Sequence, residues 1–84
     1  LNNLNINIFP NPAVDLIAIQ IGQLSKINLN IELTNMEGKL IAKKQISAGS
    51  TLAYFNTEIL YNGVYFIKIS HLNGSIIKKV VINR

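Results

Sequence analysis

Hydrophobic and polar residues alternate with a period of two through the middle of the chain. Apolar side chains occupy the odd positions of this segment, at Ile27, Leu29, Ile31 and Leu33. Successive side chains of a β-strand point to opposite faces, so this spacing predicts a strand with one buried face. A turn follows at residues 35–38, where Gly38 can adopt the positive φ that a tight reversal needs, and residues 39–46 are predicted to return as the second strand of a hairpin.

The same alternation predicts two strands upstream, at residues 4–9 and 16–21. Pro10, Asn11 and Pro12 lie between them. Proline has no backbone N–H and cannot continue a central ladder, so we expect this segment to end the first strand and to fix its bend toward the second.

Three more strands are predicted downstream: a short one at residues 51–56, an aromatic and β-branched one at 64–70 opened by Gly63, and an apolar one at 76–82. A loop at 57–62 and a turn at 72–74 separate them. The total is about seven short strands, and no segment has a helical period.

One open sheet of seven strands would leave a whole face of Ile and Leu side chains in water, so we predict two stacked sheets. The fold class is therefore all-β, an immunoglobulin-like antiparallel β-sandwich of about seven strands. No internal repeat divides the chain, and we expect a single domain over residues 6–84. Residues 1–5 are predicted to be the end of a polar linker from an upstream part of the same protein.

Composition supports a folded domain, because 49% of the residues are hydrophobic and only 14% are charged. No apolar run approaches the ~18 residues of a membrane-spanning helix, and the first residues do not have the pattern of a signal peptide. Residue 1 is not Met. We therefore expect a piece of a longer protein with its signal peptide upstream, and no direct membrane insertion.

The formal net charge is +4, and the chain contains no cysteine. A basic surplus of this size favours solubility as readily as nucleic-acid binding, so nucleic acid is not an expected partner. Without cysteine, disulfides, thiolate catalysis and cysteine-bound zinc are excluded.

Catalytic and cofactor-binding patterns are missing from the sequence. Its acidic residues stand singly, the five glycines are dispersed, and no Gly-x-Ser-x-Gly motif is present. The single histidine, His71, is expected to be a solvent-exposed turn residue rather than a general base. We therefore predict no catalytic residue, no cofactor and no metal site.

Aromatic residues are expected to lie mostly in the core, with Tyr65, Ile67 and Ile69 on one face of their strand and Phe66 on the other. The chain has no Trp. A carbohydrate-binding or fibronectin-like accessory module of a secreted enzyme is the alternative function, but such modules usually present an exposed aromatic platform, which the sequence does not reveal.

Four landmarks in order resemble the type A C-terminal sorting domains of the type IX (Por) secretion system. They are the opening at residues 8–13 with its Pro-Asn-Pro, the hairpin of Leu33, Asn35, Gly38 and Leu40, the strand with Leu60, Gly63 and Tyr65, and the basic end at residues 78–84. Two positions depart from the family pattern: Asn56 stands where Asp is frequent, and Thr57 where an apolar residue is frequent.

The resemblance implies a non-enzymatic label on a cargo protein of the Bacteroidota. Such cargo passes through the periplasm and crosses the outer membrane to the cell surface or the medium. The implied partners are the type IX translocon, its outer-membrane shuttle components, a sortase-like peptidase that removes the domain, and the upstream cargo domains of the same chain.

The candidate site residues fall into two groups. Those expected to maintain the fold are Pro10, Asn11, Pro12, Gly38, Leu60, Gly63 and Tyr65, with the Tyr65 ring buried and its hydroxyl at a polar rim. Those expected to contribute to recognition, through an exposed edge strand, are Lys78, Lys79, Val80, Ile82 and Arg84. The lysines have a second interpretation, in which they only prevent edge-to-edge aggregation.

Overall fold

The computed structural model describes residues 6–22, 28–71 and 74–84. This part of the chain forms seven strands and no helix. The strands are β1 (Ile6–Phe9), β2 (Leu16–Ile21), β3 (Leu29–Asn35), β4 (Leu40–Ile46), β5 (Leu52–Asn56), β6 (Gly63–His71) and β7 (Gly74–Ile82). The predicted Leu4, Ile27, Leu72 and Asn73 lie outside the described residues.

The strands form two antiparallel sheets, which confirms the all-β sandwich prediction. The three-stranded sheet has the order β1-β2-β5, and the four-stranded sheet has the order β4-β3-β6-β7. The most regular apolar strands are therefore the central ones. β2 lies between β1 and β5, and β3 and β6 lie between β4 and β7.

The core lies between the sheets and is made of the alternate side chains that the sequence pattern placed on one face. Most of the fully buried side chains come from the central strands, and Val80 and Ile82 are added by β7. Those of the central strands are Ile17, Ile19, Ile21, Leu29, Ile31, Leu33, Ile67 and Ile69. Burying a side chain of this size stabilises the fold by about 1.5–3 kcal/mol. Without disulfides, this packing is the main source of stability.

The turn between β3 and β4 is built around the side chain of Asn35. Its Oδ1 accepts hydrogen bonds from the backbone N–H groups of Glu37 and Lys39, both at 2.9 Å. Gly38 donates its own N–H to the Asn35 carbonyl at 3.0 Å and has a φ of 85°, which a side chain would disfavour. The hairpin predicted from residues 27–46 is therefore present over its described part.

The connection between β6 and β7 differs from the prediction, because the ladder continues to the pair His71 and Gly74. Gly74 thus belongs to β7 rather than to a three-residue turn. His71 is the last residue of β6 and is half-buried, so the expectation of a solvent-exposed turn histidine was wrong.

The aromatic side chains are less buried than the sequence indicated. Phe55 and Tyr65 lie in the core and Phe66 is half-buried, whereas Phe9, Tyr54 and Tyr61 are exposed. The reason is architectural: the outer face of a two-layer sandwich has no third layer, and alternation alone does not tell an inner face from an outer one.

The burial of the isoleucines gives a direct test of the core. Ile31→Val removes one methylene from a fully buried position, and we expect it to lower the free energy of unfolding by about 0.5–1.5 kcal/mol. Urea denaturation followed by circular dichroism measures this change. Ile59→Val, at a solvent-exposed loop position, is the matched control and should stay within about 0.5 kcal/mol. Equal effects of the two substitutions would contradict the core assignment.

Candidate functional site

Three segments that the sequence resemblance singled out meet at one end of the sandwich. They are the connection between β1 and β2, the loop between β5 and β6, and the end of β7 with the residues that follow it. We call their contact the C-terminal clasp, and define it by Asn11, Ala13, Asp15, Thr57, Asn62 and Arg84.

Asn11 pairs with β7 through its side chain in the manner of a neighbouring strand. Its Nδ2 donates to the Lys79 carbonyl at 3.3 Å, and its Oδ1 accepts the Val81 N–H at 3.0 Å. Pro10 and Pro12 flank it, both exposed and both preceded by a cis peptide bond. Because proline has no N–H to donate, the carboxamide of Asn11 supplies the polar groups that this stretch of backbone lacks.

Ala13 continues the pairing with its backbone and is fully buried. Its N–H donates to the Val81 carbonyl at 2.7 Å, and its carbonyl accepts the Asn83 N–H at 2.9 Å. The result is a short parallel bridge between Ala13 and Ile82. Residues 11–13 therefore lie along the outer edge of β7 from Lys79 to its end, and along Asn83, which follows it.

Arg84 ties the end of the chain to the loop between β5 and β6. Its guanidinium donates to the carbonyl oxygens of Thr57 and Leu60, and its backbone N–H donates to Asn62 Oδ1 at 3.1 Å. The planar guanidinium holds its donors in a fixed and spread-out geometry, whereas the donors of a lysine all lie on one compact ammonium group.

Asp15 completes the electrostatics of the clasp. Its Oδ1 lies 3.6 Å from Arg84 Nε, but the carboxylate is largely exposed to solvent, and exposed ion pairs contribute little to stability. The hydrogen bonds from Arg84 to backbone carbonyls are therefore the more important part of its contribution.

Thr57 is a fully buried residue whose polar groups are all used. Its N–H donates to the Asp15 carbonyl at 2.9 Å, and its Oγ1 donates to the Val14 carbonyl at 3.2 Å. Its own carbonyl accepts from Arg84 and, at 3.0 Å, from the Leu60 N–H. These contacts explain how a hydroxyl is accommodated at a buried position, where the resemblance implies that an apolar residue is frequent.

The loop between β5 and β6 is held on the side of β6 by Tyr65. The tyrosine is only 7% exposed, and its hydroxyl donates to the Tyr61 carbonyl at 2.8 Å. Leu60 is partly buried against the core. Gly63 opens β6 with a φ of 154°, a conformation that residues with a side chain rarely adopt.

The structure separates the residues proposed for recognition into three environments. The side chains of Lys78 and Lys79 are exposed, those of Val80 and Ile82 are buried in the core, and Arg84 belongs to the clasp. Of the residues proposed to maintain the fold, Asn11, Leu60, Gly63 and Tyr65 lie in or beside the clasp, whereas Gly38 lies in the β3–β4 turn.

Asp15 and Thr57 were missed as members of this site. Each is a single polar residue between predicted strands, and its role depends on partners more than 25 positions away in the chain. The only available signal was the departure of Thr57 from the family pattern.

Residues 6–22, 28–71 and 74–84 contain no group of three His, Asp or Glu side chains that could hold a metal ion. The same ranges contain no apolar helix of the length that spans a membrane. An open hollow of about 510 Å³ lies away from the clasp, beside Asn30, Glu32 and Lys43 on the four-stranded sheet.

The sequence matches the family model described as the secretion system C-terminal sorting domain, over residues 7–83. This match covers nearly the whole chain, from β1 to the clasp. The chain therefore belongs to the family of C-terminal sorting domains of the type IX secretion system. A comparison with curated proteins found no match.

Membership in this family gives the chain a general role. It is a C-terminal sorting signal for type IX secretion in the Bacteroidota, a domain that is not itself catalytic. Such a signal directs export across the outer membrane to the cell surface or the medium, and it interacts with the type IX machinery.

The pairing of Asn11 with β7 gives a stability prediction. Asn11→Ala removes both side-chain hydrogen bonds to the strand, and we expect a loss of about 1–2 kcal/mol in the free energy of unfolding. Urea denaturation measures it, with Asn30→Ala on the exposed outer face of β3 as the control. If the two variants lose the same stability, Asn11 does not act as a strand partner.

The contacts of Arg84 give a local prediction. Arg84→Lys keeps the positive charge but loses the fork that joins the Thr57 and Leu60 carbonyls, so we expect the loop between β5 and β6 to open more often. Amide hydrogen exchange at Thr57 and Leu60 should then be faster, while exchange at the β3 residue Ile31 stays unchanged. Lys79→Arg, at an exposed position, is the control. Unaltered exchange in the loop would show that Arg84 does not hold it.

Proposed function

We propose that this chain is the removable address label of an exported cargo protein, and that the type IX machinery recognises it through the free edge of β7. The observation that carries the second part is the asymmetry of that edge. Its second half is paired with residues 11–13, whereas its first half has no strand beside it in the described part of the chain.

The backbone N–H and C=O groups of successive residues in an antiparallel strand point alternately to its two sides. Lys79, Val81 and Asn83 direct these groups away from β6, toward the clasp. Ile77 and Ser75, which precede Lys79 by two and four positions, therefore also direct theirs away from β6. We call residues 74–78 the open edge segment; a partner strand can pair with it without disturbing the ladder between β6 and β7.

The side chains beside the open edge segment favour an acidic partner. Lys78 and Lys79 are exposed and point to opposite faces of β7 because they are adjacent in a strand. An extended segment of the translocon or of a shuttle component that carries Asp or Glu would gain charge pairing in addition to backbone hydrogen bonds. Val80 and Ile82 contribute by fixing the strand from the core side.

The remaining steps follow the behaviour of the family. An upstream signal peptide brings the cargo to the periplasm, the translocon moves it across the outer membrane, and a sortase-like peptidase removes the domain. We propose the linker at residues 1–5 and the sorting domain at 6–84, which is supported by the start of the family match at residue 7 and by the pairing of Ile6 with Ile21 in the three-stranded sheet. A cut before Ile6 would release the cargo and leave the seven described strands intact. For the domain as a whole, the family match favours this role over an accessory binding module.

Secretion of a fusion tests the address-label proposal. Residues 1–84 placed behind a signal peptide and a fluorescent protein should carry the reporter out of a type IX-competent host, measured as fluorescence in medium and on cells. A fusion lacking residues 78–84 should stay in the periplasm. Retention of the intact fusion would contradict the label function itself.

Recognition through the edge requires a finer variant, and Ile77→Pro provides it. Proline removes an outward N–H and blocks strand addition, but it leaves the bonds to β6 in place. We expect secretion to fall at least tenfold for Ile77→Pro and to persist for Ile77→Thr, with folding of both checked by circular dichroism. Secretion of a folded Ile77→Pro fusion at the normal level would reject the edge and leave the label function standing.

A further inference from the structure

The outer face of the three-stranded sheet differs in chemistry from the rest of the surface. Its outward positions in β1, β2 and β5 are Asn7, Phe9, Leu16, Ala18, Gln20, Leu52, Tyr54 and Asn56. None of these eight residues is charged, although the chain has twelve charged side chains. The outer face of the four-stranded sheet, by contrast, carries Glu32, Lys43, Lys68 and Lys79.

The centre of this uncharged face is a flat apolar strip across the three strands. Phe9 and Tyr54 lie directly opposite Ala18, one on each side. Ala18 is only 4% exposed although its methyl group points outward, so neighbouring side chains lie across it. Phe9 and Tyr54 are 43% and 44% exposed, as expected for rings that cover the sheet with one side and face solvent with the other. We call these three residues the Phe9/Tyr54 strip.

Carboxamides border the strip on both sides. Gln20 pairs with Asn7 in the neighbouring row, and Asn56 pairs with Leu16 at the opposite end of the sheet. The Asn56 Oδ1 already accepts the Glu58 N–H at 2.9 Å, so Asn56 offers a ligand its Nδ2 as a donor. A carboxamide both donates and accepts hydrogen bonds, which matches the hydroxyl groups of a sugar. Aromatic faces contact the apolar C–H side of a sugar ring. We propose that this face binds a neutral polysaccharide chain, stacked on the Phe9/Tyr54 strip and hydrogen-bonded to the flanking amides.

The size of the face favours a glycan over a protein. The face is three strands wide, with its outer strands about 10 Å apart, and the six residues of β2 give it a length of about 20 Å. Its exposed side chains amount to roughly 600 Å² of accessible surface, which is less than the about 800 Å² that each partner of a stable protein interface contributes. A narrow, flat strip with polar margins is suited to one extended sugar chain.

The charge of the face favours a neutral ligand. Acidic glycans are usually held by Lys or Arg, and none of the eight outward positions has either, although the chain as a whole is basic. Lys44 donates to the Tyr54 carbonyl, but its ammonium lies over the ring of the buried Phe55 rather than at an outward position. The face also lies on the sheet that does not contain β7. The proposed site is therefore independent of the open edge segment, and would let the exported domain contact polysaccharide outside the cell.

Titration of the 84-residue chain with neutral hexasaccharides tests the proposal. We expect cellohexaose, xylohexaose or mannohexaose to cause saturable shifts in the ¹⁵N–¹H spectrum at the amides of Phe9, Ala18 and Tyr54 and at the side chain of Gln20. Tyr54→Ala should weaken binding about tenfold, or about 1.4 kcal/mol, because it removes one of the two rings on which the sugar chain stacks. Tyr54→Phe keeps the ring and should stay within about threefold of the unchanged chain.

Tyr61→Ala is the matched control, because Tyr61 is 88% exposed but lies in the loop between β5 and β6. It should leave binding unchanged. The mapping on the unchanged chain remains decisive even if Tyr54→Ala fails to fold. Absence of saturable shifts on this face with all three sugars would overturn the proposal, and so would binding confined to hexagalacturonate. Concentration-dependent dimerisation that Tyr54→Ala abolishes would also overturn it, by assigning the face to a second copy of the chain.

Discussion

The pairing of residues 11–13 with β7 is the contact on which the arrangement of the domain depends. It joins groups about 70 positions apart in the sequence, such as Asn11 Oδ1 and the Val81 N–H. It also joins the connection between β1 and β2 of the three-stranded sheet to the last strand of the four-stranded sheet. Closing so long a loop costs conformational entropy, which the buried Ala13 and the hydrogen bonds at both ends offset. The same contact decides which half of the β7 edge is covered and which is open.

Several asparagine side chains in this fold accept hydrogen bonds that a backbone carbonyl would otherwise accept. The Oδ1 atoms of Asn11, Asn28, Asn35, Asn56 and Asn62 each accept a backbone N–H at a turn or beyond a strand end. A small sandwich has many short strands, and each strand end leaves donors that the ladder does not reach. The carboxamide is short enough to meet these donors locally. Two of these residues, Asn11 and Asn62, hold the clasp, so the clasp uses the same device as the turns, over a longer distance.

The sequence predicted what depends on local alternation and missed what depends on distant partners. β2 has the predicted bounds, and the alternate residues of β3 and β6 form the core, because a period of two reports directly on a half-buried strand. The contacts of Thr57 and Arg84 follow no period, since they join a loop to the chain end through backbone carbonyls. Phe9 and Tyr54 were misjudged for a related reason: β2 is apolar on both faces, and only the stacking of the sheets shows which face remains in water.

Lys78 and Lys79 can contribute to recognition and also prevent edge-to-edge aggregation, because the clasp covers only one half of the β7 edge. An open edge segment held in strand geometry has already lost its conformational freedom on folding, so a partner strand binds it at a lower entropic cost. The same preorganisation invites a second copy of the chain to pair there. Two copies joined at this segment would bring lysines of both chains together, and the repulsion would disfavour that pairing. An acidic partner strand would instead be attracted by the same lysines. In the recognition that we propose, the lysines would therefore select between partners for an edge that the buried side chains of Val80 and Ile82 hold in place.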